Sequence, residues 1–402
     1  MSHDEDSQKW MKDVTSGIIK NLGLDIEKVR YKVSEPTKKF TSTIYYILLQ
    51  FENKTKEQNK ELSVIVKKVL QTFSPILRID LQFHNEILFY QMYTRPDENY
   101  PRCLYVDERP PADAVIALEN VNKRGYYPCS YKCNVSLEYT LAAMRELGRF
   151  HGKGYAMKTL QRDKFFDIVT RIEEVRYCGT EQTTENKFEI ICNSNSTRAI
   201  EYLRNHGHDT VFCDKMEALL SNAFNEVMMK TVKPLEPLST LCHGDFTLDN
   251  IFFKTEDDGQ YRAMLIDFAL FRYSTPVVDL STFFCLCCSN EMTKDKFFEI
   301  MRVYHDALKE YLLEAGVWDM EKYSYEALLD DYRRGGLFGF VIATFFLPVI
   351  LGFHKSEIVL SDMLRFDALE RMKRKKYDDE MCKILADMLL NLRDFGCLKH
   401  IL

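Results

Sequence analysis

The sequence predicts an α+β, two-lobed fold, with a small antiparallel-sheet N-terminal lobe and a large helical C-terminal lobe. Three observations carry that expectation. The 402 residues exceed one small domain. The first third is rich in β-branched and aromatic runs, and from Ser136 onward the apolar period is helical apart from one embedded hairpin. Strands gathered first and helices after favour α+β over alternating βαβ units. The expected lobes are residues 1–120 and 121–402.

Val29–Val33 (VRYKV) and Thr43–Phe51 (TIYYILLQF) read as strands joined through Ser34–Lys39, a hairpin. Leu62–Val69 (LSVIVKKV) is a third strand, preceded by a polar loop over residues 52–61. A helix follows over Leu81–Tyr93, where Leu81, Asn85 or Glu86, Leu88 or Phe89, and Met92 recur at helical spacing. Val115–Leu118 (VIAL) is another short strand. In the second lobe Leu137, Leu141, Met144, Leu147 and Phe150/His151 form one helical stripe, with Ser136 as its N-cap. Helical character continues over Phe212–Lys230 and breaks at Lys233-Pro-Leu-Glu-Pro. Asn250–Lys254 and Tyr261–Ile266 flank Glu256–Gly259, whose Asp-Gly pair signals a hairpin turn. Helix resumes from Phe297. Phe338–Phe353 is the longest apolar stretch; Pro348 interrupts it and it falls short of the roughly 20 residues of a spanning helix, so it reads as a core helix.

Composition narrows the function classes. Hydrophobic residues at 46% and charged residues at 28% fit a globular chain and not a disordered one. Lys plus Arg is 54 against 60 Asp plus Glu, a net charge of −6, which makes nucleic acid a poor partner. The 12 cysteines read as reduced thiols, because the chain has an apolar core of its own and MSHDEDSQKW is acidic and polar, not a signal peptide. Cys285, Cys287 and Cys288 lack paired zinc-site spacing and read as buried small hydrophobes. The expected compartment is the cytoplasm. The basic run Arg371–Lys376 is followed at once by Tyr377-Asp-Asp-Glu and reads as a solvated face.

The chemistry concentrates in Leu241–Asn250 (LCHGDFTLDN), followed by the hairpin and Leu265-Ile-Asp-Phe268. His243-x-Asp245-x-x-x-x-Asn250 matches the catalytic-loop pattern of kinases: an Asp that accepts the proton of the attacking hydroxyl and an Asn that ligates magnesium. Asp267, brought back by the hairpin, would be the second metal ligand. Phosphoryl transfer needs such groups because the γ-phosphate and its attacker must be aligned while cations neutralise the shared charge. It also needs a lysine late in the third strand and a carboxylate on the next helix. Lys67 and Glu86 fill these positions, with Lys68 a competitor, since strand alternation sends neighbours to opposite faces. His243 reads as a residue bracing the loop rather than an acid or base.

His243-Gly-Asp245, Asn250, Ile266-Asp267-Phe268, Pro276-x-x-Asp279-Leu280 and Leu147-Gly-Arg-Phe-His151 together resemble the ecdysteroid kinase-like family, of the choline kinase and aminoglycoside phosphotransferase group. The resemblance spans roughly Val29 to Leu390. It implies a protein-kinase-like fold and ATP-dependent phosphorylation, with Mg2+, of a hydroxyl on a small molecule such as an ecdysteroid or related lipophilic alcohol. It further implies that Ala117–Asn120, including Glu119, is a hinge whose backbone meets adenine, and that Asp279 supports the catalytic loop. The segment where a phosphate-covering loop should lie, Glu35–Ser42, contains no glycine; Ser42, Thr41 and Lys39 offer hydroxyl, backbone and ammonium contacts instead. Ala269 stands after Asp267-Phe268, and neither A-P-E nor G-x-G-x-x-G occurs, which argues against a protein kinase. Two other readings stay open. One is a choline or amino-alcohol kinase, for which Asp330-Asp331-Tyr332 and Trp318-Asp319 are cation-site candidates; the other is a non-catalytic kinase fold that only binds.

Overall fold

The computed structural model describes residues 2–39, 41–52, 59–70, 78–109, 113–177, 187–353 and 379–401. The chain forms two compact units: Met1–Tyr127 with Ile266–Ala269, and Pro128–Leu265 with Leu270–Leu402.

In the first unit, β1 (Val29–Val33), β2 (Thr37–Lys38), β3 (Ser42–Glu52), β4 (Asn59–Val69), β5 (Cys103–Arg109) and β6 (Asp113–Glu119) form one antiparallel sheet. Its order is β1-β3-β4-β6-β5, with β2 paired to β3. The expected hairpin is present, with Val29 opposite Phe51 and Val33 opposite Ile47. Three elements are additions to the expected set: β2, which falls within the expected turn, β5 and the long helix α1 (Ser2–Asn21). Met11, Val14, Ile18 and Ile19 of α1 pack on Ile47, Leu49, Val64, Val66, Val115 and Ala117 of the sheet. Burying side chains such as Ile18 and Ile19 contributes about 1.5–3 kcal/mol each. The helix α2 (Ile79–Leu88) runs on into a π-helical turn, Phe89–Tyr93.

The second unit is built on helices. They are α3 (Leu137–Leu160), α4 (Arg162–Arg171), α5 (Lys187–Asn195), α6 (Arg198–Asn205), α7 (Thr210–Leu220), α8 (Met229–Val232), α9 (Val277–Cys287), α10 (Asn290–Glu314), α11 (Tyr325–Gly335), α12 (Leu337–Ile350) and α13 (Asp379–Asp394). Asp209, Ser289 and Ser324 cap α7, α10 and α11 by accepting backbone amides. Ser136 stands at the N-cap position of α3, but its hydroxyl donates to Glu138 Oε2 at 2.7 Å instead of serving a backbone amide. Pro348 does not interrupt α12. It lies in the last turn, where the ring costs one N–H bond, and the packing of a helix buried almost all round holds the helical form. No single helix among the described residues is long and apolar enough to cross a membrane.

Short strands carry the loop that matters. Between β7 (Tyr127–Pro128) and the later helices, β8 (Thr240–Cys242) pairs with β11 (Arg272–Ser274), and β9 (Ile251–Thr255) with β10 (Tyr261–Leu265). The β9–β10 turn closes as its Asp-Gly pair predicts, with Gly259 at φ +80°. Helix α3 packs closely against α10 because Gly148 has no side chain: a Cβ there would lie 2.4 Å from the Tyr304 carbonyl oxygen. Cys285, Cys287 and Cys288 are buried, and every described cysteine is a free thiol. The Arg371–Lys376 run lies outside the described residues.

Candidate active site

The residues singled out in the sequence fall into two clusters, one in each unit. In the first, alternation along β4 separates the two lysines. Val64 and Val66 face the core against α1, and Lys68 follows them, its ammonium 4.0 Å from the centre of the Trp10 ring. Lys67 faces the other way and meets Glu86 Oε2 at 2.5 Å and Asp267 Oδ1 at 3.3 Å. Burial alone would lower the Lys67 pKa, but the charges of Asp267 and Glu86 outweigh it and hold the ammonium in its charged form. Glu86 is 1% exposed. Its carboxyl is pushed up to about 7 by burial and by the Asp267 charge, against the pull of Lys67. Two carboxylates share one cation there. Glu86 Oε1 and the Tyr90 hydroxyl are buried with no hydrogen-bond partner among the described residues.

Asp267 itself has φ +63°, in the left-handed region that Asp tolerates better than most residues. The next side chain anchors it: Phe268 is fully buried and stacks on Phe89 with centroids 3.4 Å apart, edge-on to Tyr90 and Tyr100. Asn85 Nδ2 donates to the Ala269 carbonyl at 3.4 Å. Ser42 is buried at the start of β3, and its carbonyl accepts the Lys39 amide at 2.8 Å. Glu119 accepts Arg102 Nε at 3.1 Å and lies 3.7 Å from Arg124, while its amide donates to the Arg102 carbonyl. Its side chain therefore serves two arginines, and any contact with a base would come from the backbone.

In the second unit the loop after β8 is held by Asp279, the third residue of α9. This carboxylate, 0% exposed, accepts the His243 amide at 2.7 Å, the Gly244 amide at 2.8 Å and His151 Nε2 at 3.0 Å. His151 is bonded in turn to the Tyr304 hydroxyl at 2.8 Å through Nδ1. Burial would raise the Asp279 pKa; His151, His243 and the Gly244 amide outweigh it and leave the carboxyl below its usual value. Gly244 has φ +81°, and a Cβ there would lie 1.9 Å from the Leu270 carbonyl oxygen, so no other residue fits. The Asp245 amide donates to His243 Nδ1 at 3.3 Å. Asn250 Nδ2 donates to the Asp245 carbonyl at 2.9 Å and to its Oδ2 at 3.1 Å. One side of the Asp245 carboxylate is thus fixed, and the other, Oδ1, has Arg176 at 3.9 Å.

Arg176, Glu174 and Tyr304 are site residues that sequence periodicity does not mark; the first two lie between helices, and Tyr304 looks like any core tyrosine. His151, Cys242 and Asp279 place ligand atoms within 4.8 Å of one another. Their bonding is already accounted for, with the Cys242 thiol donating to the Ser274 carbonyl at 3.3 Å. The candidates for a cation site are likewise engaged. Asp331 is buried and bonded to Arg334 and the Val277 amide, Asp330 pairs with Arg333 at 2.7 Å, and Asp319 pairs with Lys322 at 2.7 Å.

Among solved structures the chain is similar to the GDP and kanamycin complex of APH(2")-IIia, at 12% identity and TM-score 0.37, covering 90% of this chain and 99% of that one. It is also similar to a putative aminoglycoside phosphotransferase from Ralstonia eutropha, at 12% identity and TM-score 0.37, covering 88% and 93%. A thermostable mutant of aminoglycoside phosphotransferase APH(4)-Ia in its apo form follows at 12% identity and TM-score 0.33, covering 92% and 97%. Superpositions this loose decide nothing about chemistry. No curated protein matches the sequence. The profile of the ecdysteroid kinase-like family matches residues 36–317, well over half of the chain, and the chain belongs to that family.

Proposed function

We propose that this chain is a small-molecule kinase that transfers the γ-phosphoryl group of ATP to a hydroxyl of an ecdysteroid or related lipophilic alcohol. Family membership supports the small-molecule kinase part of this reading. The observation that carries its nucleotide part is the meeting of Lys67 with both Glu86 and Asp267, three residues distant in sequence whose joint placement suits a phosphate-binding lysine held by a carboxylate.

In this reading Lys67 steadies the nucleotide phosphates and Glu86 aims it. Asp245 Oδ1 takes the proton of the acceptor hydroxyl while that oxygen bonds to the γ-phosphorus. The bond from phosphorus to the β–γ bridging oxygen breaks, and ADP leaves with the electron pair. Asn250 and Asp267 are assigned to magnesium, which supplies charge neutralisation on the phosphates. They fit it as hard oxygen donors: the Asn250 amide nitrogen is committed to Asp245, which leaves its carbonyl oxygen for a cation, and the Asp267 side chain is 41% exposed. Ser42 and Glu119 enter as nucleotide contacts, Ser42 through its hydroxyl and Glu119 through its backbone carbonyl, its amide being bonded to Arg102. A cytoplasmic setting, with free thiols and Mg-ATP at hand, belongs to the same reading.

The test incubates the protein with Mg-ATP and a panel of ecdysteroids, sterols, amino alcohols and xenobiotic alcohols, and reads products by mass. Gain of one phosphate on a lipophilic alcohol, lost in Asp245→Asn, is the expected result. Absence of both transfer and Mg-ATP binding would overturn the reading in favour of a non-catalytic fold. The amino-alcohol reading has less support, because the acidic residues that would form its cation site are engaged in ion pairs.

A further inference from the structure

Asp245 has one carboxylate oxygen bonded by Asn250, which favours the other, Oδ1, for an acceptor hydroxyl. What stands beside Oδ1 is the guanidinium of Arg176, 3.9 Å away. This arginine is placed by a rigid support. Glu174 Oε1 accepts the Arg176 amide at 2.9 Å and the Tyr177 amide at 3.0 Å, while its other oxygen is bonded by Arg272. Arg272 in turn lies 4.6 Å from the centre of the Tyr177 ring, and that ring is buried against Phe188, Phe224 and Phe338. Beyond the support, the Arg176 guanidinium lies 5.9 Å from the ring centres of both Phe188 and Phe346. Both rings are only half-buried. Oδ1 is therefore bordered by a cation, and that cation in turn by two partly exposed aromatic rings.

We infer that Arg176 is a specificity-determining residue that contacts the acceptor, selecting uncharged or anionic alcohols with an oxygen near the reacting hydroxyl and an apolar body, and rejecting cationic ones. The inference rests on the phosphotransferase reading and narrows its acceptor. A guanidinium cannot accept a hydrogen bond or lose its charge, so it donates to a keto, hydroxyl or acid oxygen and repels an ammonium in the same place. Phe188 and Phe346 supply the apolar contact. Selectivity follows from both the attraction and the repulsion.

The experiment compares three acceptors of one carbon skeleton, neutral, carboxylate-bearing and ammonium-bearing, by kcat/KM in the full chain and in Arg176→Gln and Arg176→Glu. The expected result is that the full chain disfavours the ammonium member. Arg176→Gln should lose about 10- to 100-fold on the neutral and anionic members, mostly in KM, as befits a hydrogen bond to a charged group. Arg176→Glu should then prefer the ammonium member. An unchanged order of preference in both variants overturns the inference and leaves the phosphotransferase reading standing. So does an equal fall in kcat on all three acceptors with a displaced pH profile, which would put Arg176 to work on Asp245 alone. If the full chain transfers to no acceptor, the phosphotransferase reading fails and takes this inference with it. Far-ultraviolet circular dichroism of each variant reports that it has folded.

Discussion

Around Lys67 two carboxylates share one cation, whereas around Asp279 a single carboxylate is surrounded by two backbone amides and a histidine. The two arrangements respond differently to loss. Glu86, already raised to about 7, can take a proton when its partner goes. Asp279 is held below its usual value, and protonating or removing it leaves buried amides without an acceptor. The first cluster is adjustable and the second is not.

The sharpest way to break that contrast is Asp279→Ala. It should cost about 3–5 kcal/mol, the loss typical of breaking a buried charged network, and remove phosphotransfer with it. Urea unfolding and the kinase assay check both; an effect below about 1 kcal/mol would place the anchoring elsewhere. Asp245→Asn should instead reduce turnover by about 100- to 10,000-fold and leave the unfolding midpoint nearly unchanged, because Asp245 is partly exposed. For Lys67→Ala the loss of stability should depend on pH. The Glu86 carboxyl is raised above its ordinary 4.5, so its burden on the fold grows as pH rises from about 4.5 towards 7. Removing Lys67 should extend that decline above pH 7, read as melting temperature against pH. The Asp279 contribution has the opposite sign: it is present above pH 3.8 and is lost as pH falls through the lowered value. Smallest is Lys68→Ala, which removes the contact with Trp10 and should cost about 0.5–1 kcal/mol without touching turnover.

The same contrast governs what could be read from sequence. Lys67, Glu86, Asp245, Asn250 and Asp267 stand at spacings that the chemistry itself imposes, so they were visible as a pattern. The choice between Lys67 and Lys68 was not. It depends on which face of β4 is covered, and the cover is α1, whose apolar residues Met11, Val14, Ile18 and Ile19 follow a polar, acidic beginning that hides their period. β5 is hidden for a related reason: Cys103–Arg109 has a single buried residue, Leu104, to mark a face and ends in charge. Arg176 and Glu174 are set by long-range pairing with Asp245 and Arg272, which no local signal encodes. Ser136 shows the converse, a cap signal in the right place whose hydroxyl went to Glu138.

Phe268 gives Asp267 a fixed bearing. With its ring stacked on Phe89 and enclosed by Tyr90 and Tyr100, the segment cannot swing out without emptying a packed aromatic nest. The aim of the Asp267 carboxylate is therefore settled during folding and not at the arrival of nucleotide. Any swing of this segment would first have to separate Phe268 from Phe89, Tyr90 and Tyr100, so the bearing of Asp267 is tied to the packing of four aromatic rings.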